Sequence, residues 1–137
     1  MDDEKIQLWT PGFPLHEQAI VVRGGIMDVR DLKKQVQTFA DRGKQAGKDE
    51  QFALSIFSLP NKTAEEICKI VCLPHQKVRV AEAGAVYRSG FDLIPDNKPP
   101  GHLNLVFGSA PTEVEFERLQ TIFGEPIPNP ARWRAEQ

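Results

Sequence analysis

Cysteine is scarce in this chain of 137 residues, with two copies, too few for the disulfide framework of a small secreted domain. No apolar run approaches the ~18–20 residues of a membrane helix, because Pro, Gly or charge interrupts every candidate. Basic excess is also missing. The net charge of −2 argues against tight non-specific binding to nucleic acid. The opening Met1-Asp2-Asp3-Glu4-Lys5 is acidic and lacks the basic-then-apolar layout of a secretory signal, so a soluble, cytoplasmic protein that avoids membranes is expected. No Walker loop, dinucleotide fingerprint, nucleophile elbow or His-Glu-x-x-His occurs, which argues against a kinase, a Rossmann dehydrogenase, a serine hydrolase and a zincin.

What is present describes an ordinary globular domain, with 40% hydrophobic and 26% charged residues. The charge is uneven. From Asp28 to Lys48 six cations face three Asp, and from Thr112 to Glu125 four Glu face Arg118. Such polarity suits either an anionic substrate or two solvated helix faces.

Residues 1–18 read as an irregular lead-in, broken by Pro11, Gly12 and Pro14. Strands are expected at 19–23, 52–58, 77–80, 91–94 and 102–107, from β-branched or apolar runs bounded by turn residues. Helices are expected from Asp28 to about Arg42, stopped by Gly43, and from Thr63 to about Cys72. A further helix should run from Thr112 to about Phe123; Thr63/Glu66 and Thr112/Glu115 have capping-box spacing. Residues 81–89 suit a short helix closed by Gly90, and 125–137 a Pro-rich extended tail. The result is a single α+β domain over 19–124, with a mixed sheet of about five strands and helices mainly on one face; a small three-layer sandwich is the alternative.

Arg23 leaves the first strand directly before Gly24-Gly25, where a guanidinium fork and close backbone approach suit a phosphate or carboxylate. His102 opens a strand after a Pro/Gly-rich loop, a place for a general acid or base. Ser55 interrupts an apolar strand and must find a hydrogen-bond partner, substrate or main chain. Tyr87 and Arg88 offer stacking and charge to a nucleotide, or simply end an amphipathic helix. Cys68, Cys72 and His75 have the spacing of a zinc half-site without a visible fourth ligand, and two core thiols explain the cysteines equally well. Glu113, Glu115 and Glu117 alternate like paired carboxylates, but the capping box puts them in a helix's first turns.

Val22-Arg23-Gly24-Gly25, Leu54-Ser55-Ile56-Phe57, the run Tyr87-Arg88-Ser89-Gly90-Phe91-Asp92-Leu93-Ile94-Pro95 and His102-Leu103-Asn104-Leu105 together resemble a pattern of small bacterial α+β proteins without an established activity. The resemblance spans roughly residues 20 to 130 and implies a bacterial origin. The chain is also loosely similar to ADP-ribosyltransferase-like folds, in which a first-strand Arg and a second-strand Ser help hold NAD; Arg23 and Ser55 take those places. That family's catalytic glutamate belongs on a late strand, whereas Glu115 and Glu117 fall in an expected helix.

Two functional expectations follow. One is a small toxin-like or defence-associated bacterial enzyme acting on RNA or a nucleotide without metal or other cofactor. In it His102 moves the proton, Arg23, Arg88 and Arg79 hold phosphate charge, and Tyr87, Ser55, Gly24 and Gly25 complete the site. The other is a non-catalytic module with a protein partner, using the basic 28–48 segment and a tail anchor at Trp133 between Arg132 and Arg134.

Overall fold

The computed structural model describes residues 6–47 and 51–131. The chain runs through β1 (Ile20–Gly24), α1 (Val29–Gln45), β2 (Phe52–Phe57), α2 (Ala64–Val71) and β3 (Lys77–Glu82). It continues through α3 (Ala83–Arg88), β4 (Asp92–Pro95), β5 (His102–Phe107), α4 (Glu113–Ile122) and β6 (Ile127–Pro128). The expected α+β single domain is what forms. Among the described residues its sheet has six strands in the order β4-β5-β2-β1-β3-β6, and every pairing is antiparallel rather than mixed. The reason lies in the connections. Strand β2 starts at the end of the sheet where β1 finishes, so the two pair antiparallel across the α1 crossover.

Side chains alternate across the sheet with the strand period of two. Val21, Leu54, Ile56, Ala81, Leu93, Leu103, Leu105 and Phe107 form one face and pack against Leu32 and Val36 of α1, Val86 of α3, and Phe116 and Leu119 of α4. On the other face Val22 and Val78 pack against Ile67 and Cys68 of α2. Helices α1, α3 and α4 therefore share one face, and α2 shields only the β1–β3 half of the other. No helix among the described residues lies over the reverse face of β2, β5 and β4, the surface that carries Ser55, His102 and Asn104.

Local chemistry sets the element ends. Asp28 caps α1 by accepting from the Asp31 N–H at 2.7 Å, and both expected capping boxes close. Helix α1 passes through Gly43 and stops at Ala46, because the left-handed turn it needs is supplied by Gly47 (φ 75°). The tail is docked rather than loose as far as Ala131. Ile127 and Pro128 add a sheet edge, where proline's missing N–H is tolerated, and the fully buried Asn129 donates to the carbonyls of Leu73 and His75 at 3.0 and 2.8 Å. Trp133, Arg132 and Arg134 lie outside the described residues. The unequal charges of the 28–48 and 112–125 segments meet each other in part, through Lys33 Nζ and Glu113 at 2.6 Å. No helix of the described residues is long and apolar enough to cross a membrane.

Candidate functional site

The β2–β5 register places Ser55 opposite Asn104 and Phe57 opposite His102 on the uncovered face. That puts Ser55 diagonal to His102, a separation a long side chain can bridge. His102 Nε2 lies 3.0 Å from Ser55 Oγ, and its Nδ1 lies 2.7 Å from Asp96 Oδ1. Asp96 stands in the loop between β4 and β5, which is folded back so that the N–H groups of Asp96 and Asn97 both donate to the His102 carbonyl, at 3.2 and 3.0 Å. The N-terminal lead-in braces this loop. Asn97 Nδ2 donates to the Trp9 carbonyl at 2.9 Å, and Trp9 Nε1 donates to the buried Ser58 hydroxyl at 3.0 Å.

Partial burial works to raise the Asp96 carboxyl. Hydrogen bonds from His102, from the Lys98 N–H and from the Asn104 amide outweigh it and hold the group below the usual carboxylate range. Asp96 is therefore an anion at neutral pH and can only accept. It fixes the proton of a neutral His102 on Nδ1, leaving the Nε2 lone pair for the Ser55 hydroxyl proton. Phe57 meets the imidazole edge-on, with ring centroids 5.4 Å apart. A hydroxyl, an imidazole and a carboxylate thus stand in series, the arrangement that activates a serine oxygen. The absence of a nucleophile elbow argued against a serine hydrolase, yet here these groups assemble on flat strands and one loop. A motif defined by a strand-to-helix turn does not register them.

Ser55 borders a cleft of about 450 Å³ lined also by Arg23, Gly24, Gly25, Asp31 and His75. The cleft exists because β1 and β2 separate. Among the described residues they are bridged at Val22–Phe57 alone, whereas β2 stays paired to β5 along its whole length. His75 packs directly on Gly24: a Cβ there would collide with its Nδ1, so the glycine is required for close approach rather than for backbone freedom. The Asn129 clamp on the His75 carbonyl holds that loop in place.

Arg23 is not the open fork expected from sequence. Strand alternation turns it toward the helix face, away from His102. It is 7% exposed and donates from Nη1 to the Ser55 carbonyl at 2.8 Å, with Asp31 4.0 Å away. Burial lowers its pKa and Asp31 partly offsets this; its buried Nε has no hydrogen-bond partner among the described residues. It stiffens the strand beneath Ser55 and lines the cleft from behind. Arg88 and Tyr87 do not converge on the site. Arg88 pairs with Glu17 at 3.2 Å, and the Tyr87 hydroxyl accepts from the Leu15 N–H at 2.9 Å, so both anchor the lead-in. Arg79 donates to the carbonyls of Gln120 and Gly124 at 3.2 and 2.8 Å. Cys68 is buried while Cys72, the left-handed residue capping α2, is exposed, so only one of the two cysteines is a core thiol. Glu113 and Glu115 open α4, where Glu115 caps the helix, and Glu117 lies within it.

Of the residues singled out in the sequence, Ser55, Gly24 and Gly25 meet at this cleft with Arg23 behind it, and His102 is joined to it through its contact with Ser55. Asp96, Asn104 and the placement of His75 were missed. An Asp six residues before a His, across a Pro/Gly-rich loop between two strands, was the available signal for Asp96. No protein family, curated protein or solved structure matches the chain.

Proposed function

We propose that this protein is an enzyme that transfers an acyl group through Ser55. His102 Nε2 takes the Ser55 proton as Oγ bonds to the carbonyl carbon of an ester, and the carbonyl π pair moves onto its oxygen. When that pair returns, the bond to the leaving group breaks and His102 delivers the proton to the departing oxygen. Water then attacks the acyl-serine with His102 as base, releasing the acid and restoring Ser55. Asp96 keeps the imidazole in the required tautomer and stabilises its charged form. His75, in the same cleft as Ser55, is a candidate to donate to the developing oxyanion. The observation that carries the reading is the unbroken series Ser55 Oγ, His102 Nε2, His102 Nδ1, Asp96 Oδ1 at 3.0 and 2.7 Å.

A fluorophosphonate probe tests it. Wild type should be labelled on Ser55, and His102→Ala should lose most labelling while keeping its circular dichroism spectrum. Labelling spread over several serines, or none at all, overturns the proposal.

A second reading, cleavage of RNA or a nucleotide by a toxin-like protein, draws support from Arg23 as a cation lining the cleft beside Ser55. It needs fixed cations beside His102, and Arg88 and Arg79 are committed elsewhere. In that reading Arg23→Gln abolishes phosphodiester cleavage; in the acyl reading ester hydrolysis survives the same substitution with a reduced rate.

A further inference from the structure

Ser55 stands between two concavities. The cleft at His75 and Gly24 lies on one side; on the other, a groove of about 410 Å³ is lined by Phe39, Phe52, Ala53, Ile94, Asn104 and Val106. We infer that this groove is the acyl subsite and that the substrates are esters of apolar acids, a specificity that rests on the acyl-transfer reading of Ser55.

The strand pattern sets part of the groove beside the nucleophile, while Phe52 and Phe39 of α1 line it from the helix side of the sheet. Ala53 precedes Ser55 by two residues on the same strand, so both face the same side about 7 Å apart. Asn104 is the cross-strand partner of Ser55 and also lines the groove. Val106 opposes Ala53, and Ile94 opposes Asn104 from the next strand. A carbonyl carbon at Ser55 Oγ therefore has a path for its substituent over Asn104 and onto Val106 and Ile94. The groove carries no formal charge among its named residues, and Ile94 is 45% exposed, apolar surface that an acyl chain would cover. The opposite cleft, with Arg23, Asp31 and His75, is polar and suits the leaving group.

Hydrolysis of p-nitrophenyl esters from acetate to octanoate reads this out. In wild type kcat/KM should rise about two- to fourfold for each added CH2 until the groove is filled, the upper figure being the value of a fully buried methylene. Val106→Trp should flatten the length preference, read as the ratio of octanoate to acetate kcat/KM; Ile94→Ser, on an exposed position that tolerates a polar residue, should halve the slope. If acetate is hydrolysed and every longer ester reacts at the same rate, with neither variant changing the profile, the groove is not the acyl subsite while Ser55 remains the nucleophile. If no ester is hydrolysed, acetate included, the acyl-transfer reading itself falls and the subsite with it.

Discussion

The substitution Asp96→Asn separates the charge of the carboxylate from its shape. The amide can keep an oxygen where Oδ1 accepts from His102 Nδ1 and from the Lys98 N–H, now at 2.7 and 3.1 Å. Its new NH2 then faces the Asn104 amide nitrogen, which at present donates to Oδ2 at 3.1 Å. Asn104 can answer by rotating its amide, since its Oδ1 is buried without a partner and turns to accept the new donor. Hydrogen bonding is thus repaired, and the melting temperature should stay within a few degrees of wild type. What is lost is the attraction between a carboxylate and the imidazolium formed when His102 takes the serine proton. At 2.7 Å that attraction is about 1.5 kcal/mol with full solvent screening and about 6 kcal/mol at an effective dielectric of 20. The Asp96 side chain is 38% exposed, which places the pair near the screened limit, at about 2 kcal/mol. Esterase kcat/KM should fall roughly 30-fold, well short of the loss from Ser55→Ala. An unchanged rate, or a loss as deep as that of Ser55→Ala with the fold intact, refutes this account of Asp96.

Three further outcomes follow from the packing. Ser58→Ala strands the Trp9 indole N–H and the Ile20 carbonyl, both now satisfied by one fully buried hydroxyl, and should cost about 2–3 kcal/mol in urea unfolding; a change under about 1 kcal/mol contradicts the bracing of the lead-in. Gly24→Ala drives a methyl into His75 Nδ1 and should destabilise by about 1–3 kcal/mol, a loss that His75→Ala in the same chain largely removes; strictly additive effects exclude the contact. Burial pushes the Cys68 thiol up to about 11 while Cys72 is exposed, so a thiol reagent should titrate one cysteine in the native protein and two in guanidinium. Because the folded thiol resists ionisation, its share of stability holds below the unfolded value of about 8.5 and is lost as pH rises toward 11. A Cys68→Val chain whose alkaline destabilisation matches wild type goes against that linkage.

Much of the architecture was legible because it is encoded locally. Thr63/Glu66 and Thr112/Glu115 close the capping boxes that their spacing announces, and His102–Phe107 forms the strand that its apolar run describes. Strand direction was not legible, since a helix between two strands permits either sense and the return path of α1 is a tertiary property. Arg23 failed as a ligand fork for a reason the alternation contains: one residue from Val22 places it on the opposite face from Val22. What the run could not reveal is the parting of β1 from β2, which turns the Ser55 carbonyl into the partner of that guanidinium. Asp96 was invisible for a related reason. Its role depends on a loop folded back onto the His102 carbonyl, and no spacing rule connects residues 96 and 102 to residue 55.

Polar residues on an uncovered antiparallel face need no function to explain them, because such a face must meet water. Ser55, His102 and Asn104 satisfy that demand, so their polarity is not evidence of chemistry. What sets them apart is where their hydrogen bonds go. A merely solvated histidine has no need of a carboxylate anchored by a backbone N–H and an amide, in a loop braced from the N-terminal segment through Asn97 and Trp9. Nor does a surface serine require its own carbonyl pinned from below by a buried arginine. Both arrangements commit buried or semi-buried polar groups to fixing orientation. Fixed orientation is of little use to solubility, and it is what an acid–base pair requires to act on a substrate held at Ser55.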